Sequence, residues 1–350
     1  MKAVLLVGGQ GTRLRPLTIH APKSIVPIFD RPFLHYQLDL IKKVAEIDEV
    51  ILSLNYQPHR VEEVFGNGRD LGIALRYVVE PSPLGTGGAV RYAARGVTGT
   101  IVVFNGDVLT TVDLGALIGF HRSRKSRATI VLTPVDNPSA YGLVETDAAG
   151  NILRFLEKPK PEDITCDTIN AGIYVLETDT FDRIPEDVPW SIERRFFPSF
   201  IERGETFLAS IYRDYWIDIG TPEKYRQVHR DIMDGRYAMP PYNGKPDIVW
   251  VAPTARIEDG VQLEGPLFID EGCVVKTGAR IGPYTVLGRN CRVDGHAHVA
   301  GAIVWPDTSI GEEAQITDTI IGRSAHIGRN AVIGRGVLGD ATSIAEFSRL

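Results

Sequence analysis

The chain has 350 residues, 43% of them apolar and 23% charged, with a formal net charge of −6. That length suits two domains with real cores, and the acidic balance argues against nucleic-acid or membrane partners. No apolar stretch approaches the ~20 residues of a membrane span. The N-terminal apolar run is too short for a signal peptide. Three cysteines without a CxxC pair point to a reducing cytoplasm and give no zinc cluster.

The first element is the apolar run Lys2–Val7, read as a buried strand. It feeds GGQGTRLRPLT at residues 8–18. Glycines let backbone N–H groups approach a ligand, and Arg13 and Arg15 add permanent cations, so the loop reads as a phosphate site. It is neither a dinucleotide fingerprint, since Leu14 holds the third glycine position, nor a Walker loop, since no Gly-Lys-Ser/Thr follows.

Strands are predicted next at Val50–Leu54, Ala74–Val79, Ile101–Asn105, Thr129–Pro134 and Ala171–Leu176. Amphipathic stretches at Leu34–Ala45, Arg60–Phe65 and Leu114–Arg122 separate them, with Asp113 as an N-cap. The alternation predicts a Rossmann-like α/β domain over residues 1–235 with a mainly parallel sheet. Ligands of such sheets bind beyond the carboxyl ends of the strands. The loops after Val7 and Asn105 are therefore expected to face one crevice.

Residues 236–248 are rich in Pro and Gly and read as a linker. Over 249–350 the rhythm changes to six, with aliphatics at Val251, Ile257, Leu263, Ile269, Val275, Ile281, Leu287, Val293 and Val299. Mostly small residues stand two places before each from 257 onward. This predicts a parallel β-helix of hexapeptide repeats with ~18 residues per coil. A loop or register change is expected where the step breaks, over 300–309 and before Ile321. Cys273 and Cys291 share a hexad position one coil apart and are expected to stack.

Several polar residues interrupt the apolar pattern. Lys23 follows the glycine loop and suits phosphate. Asp107, in Asn105-Gly106-Asp107, ends a very apolar strand and offers hard oxygen for Mg²⁺. Glu157-Lys158 sets a hydroxyl acceptor beside a phosphate cation. Asn170 offers both donor and acceptor. Asp218, between Ile217 and Ile219, needs a cation or donor if buried, while Thr221-Pro222 reads as a helix start.

Taken in order, GGQGTRL, PK, LGTGGA, GD, YGLV, FLEKP, NAG, WIDIGTP and the hexads resemble the sugar-1-phosphate nucleotidyltransferase family over nearly the whole chain. The likeness is greatest to its mannose-1-phosphate guanylyltransferases. The resemblance implies a left-handed β-helix and a reaction of a nucleoside triphosphate with a sugar 1-phosphate, giving a nucleotide sugar and pyrophosphate. It assigns Leu6, Gly8, Gly9, Gly11, Thr12, Arg13, Lys23, Glu80, Gly85, Thr86, Gly106 and Asp107 to the nucleotide. It assigns Gly142, Glu157, Lys158, Asn170 and Asp218 to the sugar phosphate, and Asp107 and Asp218 to Mg²⁺. Arg13, Lys23, Asp107, Lys158 and Asp218 would serve catalysis, and the β-helix a homo-oligomer. Ser24 and Arg31 depart from the family's usual proline and lysine. Three other readings stay open: a thymidylyl- or uridylyltransferase, a silent regulatory subunit, and an added acyltransferase using His296 or His298.

Overall fold

The structure is a computed structural model that describes residues 1–350. Its contacts define two compact units. The first comprises Met1–Gln10 with Leu34–Asp218, and the second Gly11–Phe33 with Ile219–Leu350.

The first unit is built on a nine-stranded sheet. In chain order its strands are β1 (Lys2–Leu6), β2 (Glu49–Leu54), β3 (Ala74–Val79), β4 (Thr100–Asn105), β6 (Ala128–Pro134), β7 (Gly142–Thr146), β8 (Ile152–Glu157), β9 (Thr168–Glu177) and β10 (Phe207–Ile211). A separate two-stranded ribbon pairs β5 (Val108–Thr110) with β11 (Trp216–Asp218). Strands β4, β1, β2 and β3 run parallel, and every residue from Ala3 to Leu5 and from Ile101 to Phe104 is fully buried. Burial on both faces is why β1 and β4 read as unbroken apolar runs. Beyond β4 the sheet turns mixed: β9 runs antiparallel to β4, β6 and β7, and β8 antiparallel to β7. The chain leaves central β1 to β2 on one side and pairs it with β4 on the other, so the crevice lies at their carboxyl ends.

Helices α1 (Phe33–Ile41), α2 (Pro58–Phe65), α3 (Gly85–Ala93), α4 (Leu114–Ser123) and α5 (Phe197–Glu202) accompany this sheet. Asp113 does cap α4, its Oδ1 accepting the Ala116 N–H at 2.9 Å. Helix α3 is not obvious in the sequence, because LGTGGA carries three glycines that disfavour a helix interior.

In the second unit, helix α6 (Pro222–Met233) starts as its sequence requires, with Pro222 at the first turn and the Thr221 hydroxyl accepting the Lys224 N–H. His229 is buried against Phe29, its Nε2 accepting the Phe29 N–H at 3.3 Å and its Nδ1 facing the Tyr225 carbonyl at 2.9 Å. Residues 236–248 form no strand, yet Tyr242 is fully buried and donates to the Leu267 carbonyl at 2.8 Å.

From Val249 onward short strands stack into three parallel sheets, the faces of a left-handed parallel β-helix. The hexad aliphatics from Ile269 to Val299 are buried, and so are Cys273, Ala279, Thr285, Cys291 and Ala297. Each buried aliphatic contributes about 1.5–3 kcal/mol of apolar burial. Cys273 and Cys291 stack as their spacing predicts: the Val274 N–H bonds the Cys291 carbonyl at 2.9 Å, and both thiols are free. The break in the rhythm is a register change of one residue. Arg280 pairs with His298, 18 places on, but His298 pairs with Gln315, 17 places on. One corner loses a residue, at Gly301 and again at Asp318 and Arg335, each in the left-handed region. Val304 then fills the core position that the six-residue step would give to 305.

Candidate active site

The carboxyl ends of β1 and β4 are locked together. The Gly106 N–H donates to the Leu6 carbonyl at 3.0 Å, and a Cβ at Gly106 would lie 2.5 Å from that oxygen. Gly106 is thus fixed by backbone packing, and it sets Asn105 and Asp107 at the crevice. Asp218 pairs across the ribbon with Val108, the neighbour of Asp107, and is only 9% exposed. Asp218 thus stands one residue out of register with Asp107 across the ribbon. Asn105, not among the expected site residues, adds a buried Oδ1 with no partner in the protein. All-oxygen donors of this kind suit a hard divalent cation.

On the nucleotide side of the same unit, a Cβ at Gly9 would touch nothing within 4 Å, so the protein itself does not explain that glycine. Gly8 is tighter: its Cβ would come 3.3 Å from Glu80 Oε1. Glu80 is buried, accepting from the Ser53 hydroxyl at 3.1 Å and the Leu84 N–H at 2.9 Å. Burial raises its carboxyl above the usual range, partly offset by those bonds. The glycines of LGTGGA dock α3 on the segment 188–192. Gly87 and Gly88 donate to the Trp190 carbonyl, and a Cβ at Gly85 would lie 2.9 Å from that oxygen. The Thr86 hydroxyl donates to Glu193 at 2.7 Å and accepts the Ile192 N–H at 2.9 Å. Gly85 and Thr86 thus brace this helix.

Gly142, Glu157 and Asn170, expected to hold the sugar phosphate, gather on the antiparallel strands. Gly142 stands opposite Glu157 across β7 and β8, and a Cβ there would meet Glu157 Oε2 at 2.9 Å. Burial is the main cause that raises the Glu157 carboxyl; Glu193 adds to it, and Lys158 and Arg194 oppose it. Lys158 follows with φ 52°, an uncommon backbone for lysine. Its N–H is tied to the Tyr141 carbonyl at 2.9 Å. Asn170 accepts the Gly172 N–H and donates to the Tyr174 hydroxyl, both at 2.9 Å, at the irregularity in β9. The Trp216 indole donates to the Ala171 carbonyl at 2.9 Å and stacks edge-on against Tyr141.

In the second unit, Gly11 adopts φ 60° and starts a single 3-10 turn, Thr12–Leu14. The Thr18 hydroxyl holds the Gly11 carbonyl at 2.8 Å, and Lys23 Cβ would lie 3.3 Å from a Gly11 Cβ. The Arg13 guanidinium passes Gly220 so closely that a Cβ there would sit 2.7 Å from Nη2. Gly11, Thr12, Arg13 and Lys23 are thus one local cluster, with Arg13 beside Gly220. His296 and His298 lie elsewhere, exposed, with His296 at a β-helix corner of φ 57°. No group of three or more His, Cys, Asp or Glu side chains forms a metal cluster.

Comparison with known proteins decides the family. Residues 2–235 match the nucleotidyl transferase family, and residues 263–348 match the GMPPB C-terminal domain. The chain belongs to the nucleotidyl transferase family. It is 41% identical to a mannose-1-phosphate guanylyltransferase of Mycobacterium tuberculosis, over 86% of this chain and 82% of that one. It is 35% identical to mannose-1-phosphate guanylyltransferase 1 of Arabidopsis thaliana, over 97% and 95%. HddC from Yersinia pseudotuberculosis, solved complexed with GMP-PN, superposes with a TM-score of 0.56 at 29% identity, covering 65% of this chain and 96% of that one. The first match spans the nine-stranded sheet, and the second lies within the hexapeptide repeats. No helix is long and apolar enough to cross a membrane.

Proposed function

We propose that this nucleotidyltransferase joins GTP to mannose 1-phosphate, forming GDP-mannose and releasing pyrophosphate. The observation that carries the reaction is the ribbon that pairs Asp218 with Val108, the residue after Asp107, just beyond the carboxyl end of β4. The choice of substrates rests on the guanylyltransferase relatives. The sugar phosphate oxygen attacks the α-phosphorus, and the bond to pyrophosphate breaks. A phosphate monoester is largely dianionic at neutral pH, its second pKa being about 6, so no general base is assigned.

The difficulty is bringing two anions together. Arg13 and Lys23 offset the charge of the triphosphate, and Lys158 that of the sugar phosphate. Gly8, Gly9, Gly11 and Thr12 present backbone to the phosphates, and Glu80 accepts from the base. Gly142, Glu157 and Asn170 hold the sugar. Asp107 and Asp218 would hold Mg²⁺, which stabilises charge developing on the phosphates. The β-helix would assemble copies of the chain, and apolar side chains exposed near its two ends, Trp250 and Phe347, support that role. Three free thiols fit a reducing cytoplasm.

The test is pyrophosphate release across five nucleotides paired with mannose, glucose and N-acetylglucosamine 1-phosphates. GTP with mannose 1-phosphate is expected to lead. A clear preference for dTTP or UTP with glucose 1-phosphate overturns the substrates and leaves the reaction class. No release with any pair overturns the enzyme reading in favour of a regulatory subunit.

A further inference from the structure

Helix α6 sets Glu223, Arg226, Gln227 and Arg230 at spacings of three and four, so they share one helix face. That face borders a cavity of about 290 Å³, which Asp318 and Arg335 of the β-helix complete. All six residues belong to the second unit. Asp318 and Arg335 are successive corners of the column that begins at Gly301. The Asp318 N–H bonds the Ala300 carbonyl and the Arg335 N–H the Thr317 carbonyl, both at 3.0 Å. The two corners are thus one coil apart, a strand spacing of about 4.8 Å. Arg226 Nη1 donates to the Asp318 carbonyl at 2.5 Å, and Arg230 Nη2 to Asp318 Oδ1 at 2.9 Å. Arg230 also lies over the Tyr284 ring, 5.3 Å from its centroid. These contacts already hold α6 to the coil, and Arg335 takes no part in them. Its guanidinium lines the same cavity and bonds no protein group. Glu223, the second carboxylate, accepts from its own N–H and the Thr221 hydroxyl. The Gln227 amide donates to Asp231 at 2.8 Å.

Three permanent cations therefore meet two carboxylates, and each guanidinium carries several N–H donors that the protein leaves unused. The Arg230–Asp318 pair is 40% and 42% exposed, so as a brace alone it contributes little. Forked cationic donors converging on one small cleft suit an anion with several acceptor oxygens. The volume is just below the ~300–1,000 Å³ of sites that enclose whole small molecules, which fits a phosphate group rather than an enclosed nucleotide. We propose that the cleft between α6 and the β-helix is a second anion site. It takes a phosphate group, free or as a monoester, among Arg226, Arg230 and Arg335. It shares no residue with the crevice. A bound phosphate joins α6 to the coil of Arg335 as well as to that of Asp318, and so tightens the packing of the helix on the β-helix.

The test uses the full chain with Arg13→Ala and Lys158→Ala combined, which removes phosphate cations from the crevice. Inorganic phosphate and glycerol 3-phosphate are titrated into it by calorimetry at constant ionic strength, and melting is followed in parallel. One equivalent is expected to bind and to raise the melting temperature. Adding Arg335→Asn is expected to weaken that binding about 10-fold or more and to abolish the thermal shift. Asn suits a left-handed corner, as Asn290 and Asn330 do at others, so the melting temperature without phosphate is expected to be unchanged. Tighter binding of the monoester supports the site with an ester as its source, and equal binding supports it with the free ion. Binding that is absent from the Arg13→Ala, Lys158→Ala chain, or that Arg335→Asn leaves unaltered, overturns the site. Neither result touches the proposed function, which stands or falls on the substrate panel.

Discussion

The β-helix and the crevice strands bury polar groups by opposite rules. In the β-helix the buried hydroxyls and thiols are paired with backbone of the next coil: Thr285 with the Val299 carbonyl, Thr308 with Gly322, Cys291 with Trp305. No buried side-chain polar atom there is left without a partner. Around the crevice, Asn105 Oδ1 and Trp190 Nε1 are buried and unpaired, and Glu157 is pushed towards its neutral form by burial. An unpaired buried polar group costs about 1–3 kcal/mol. The β-helix satisfies its buried polar groups within the protein, whereas under the proposed function the partners of the crevice groups arrive with substrate. Mutations should therefore separate the two regions.

The largest effect is expected on chemistry. Asp107→Asn and Asp218→Asn should each cut kcat by about 100- to 1,000-fold, while thermal melting stays near wild type. Substrates for which binding alone weakens would blur the contrast, so kcat and KM are to be measured separately. Equal loss of melting temperature and activity would mean that Asp218, buried as it is, serves the fold.

The converse is expected in the β-helix. Ile316 is fully buried among the stacked coils. Ile316→Ala should cost about 2–5 kcal/mol through lost transfer energy and a cavity. The melting temperature should fall by several degrees, with activity per folded molecule preserved. A large fall in kcat without a thermal change would break the comparison.

How legible each region was follows from the same contrast. Every coil repeats the last, so the buried hexads and the stacking of Cys273 on Cys291 could be read from spacing. The loss of one residue per coil at Gly301 could be read only as a broken step, because corner residues carry no apolar signal. In the first unit the doubly buried parallel strands were plain. The hairpin of β7 and β8, the edge strand β10 and the ribbon that carries Asp218 were not, because their short runs mix polar and apolar residues. Of the site, Asp107, Glu157 and Lys158 stood out by position at strand ends. Gly85 and Thr86 look like ligand-binding residues in sequence, and in the fold Gly85 also packs on Trp190 while Thr86 bonds Glu193.

Acid should strain the second unit at one identifiable place. Burial lowers the His229 pKa from 6.5 to about 4, with the Tyr225 carbonyl partly opposing. The neutral ring fits its site, because Nε2 accepts from the Phe29 N–H and has no room for a proton. The folded value lies below the unfolded one, so the unfolded chain binds the extra proton. This contribution is intact above about pH 6.5, falls as the pH drops, and is fully lost below about pH 4. The loss amounts to about 3 kcal/mol at most. Denaturant titrations at successive pH values should show it. His229→Gln should flatten that slope, and an unchanged slope would remove His229 as its cause.

The smallest effect is expected at the start of α6. Thr221 closes the WIDIGTP segment, where chemistry and scaffold adjoin in sequence. Its hydroxyl accepts the Lys224 N–H at 3.4 Å, a long bond, and Pro222 already presets the first turn. Thr221→Ala removes one acceptor for the exposed helix donors and should cost about 0.5–1 kcal/mol, the low end for an N-cap. Thr221→Ser should restore most of it. The cap lies three residues beyond Asp218 in sequence, so the same variant tests how tightly that carboxylate depends on the helix that follows it. If Asp218 is held by its ribbon pairing with Val108, kcat should stay within about twofold of wild type, well under the 1.4 kcal/mol that a tenfold change represents. A tenfold fall in kcat with only a slight thermal change would show that α6, rather than the ribbon, sets the carboxylate.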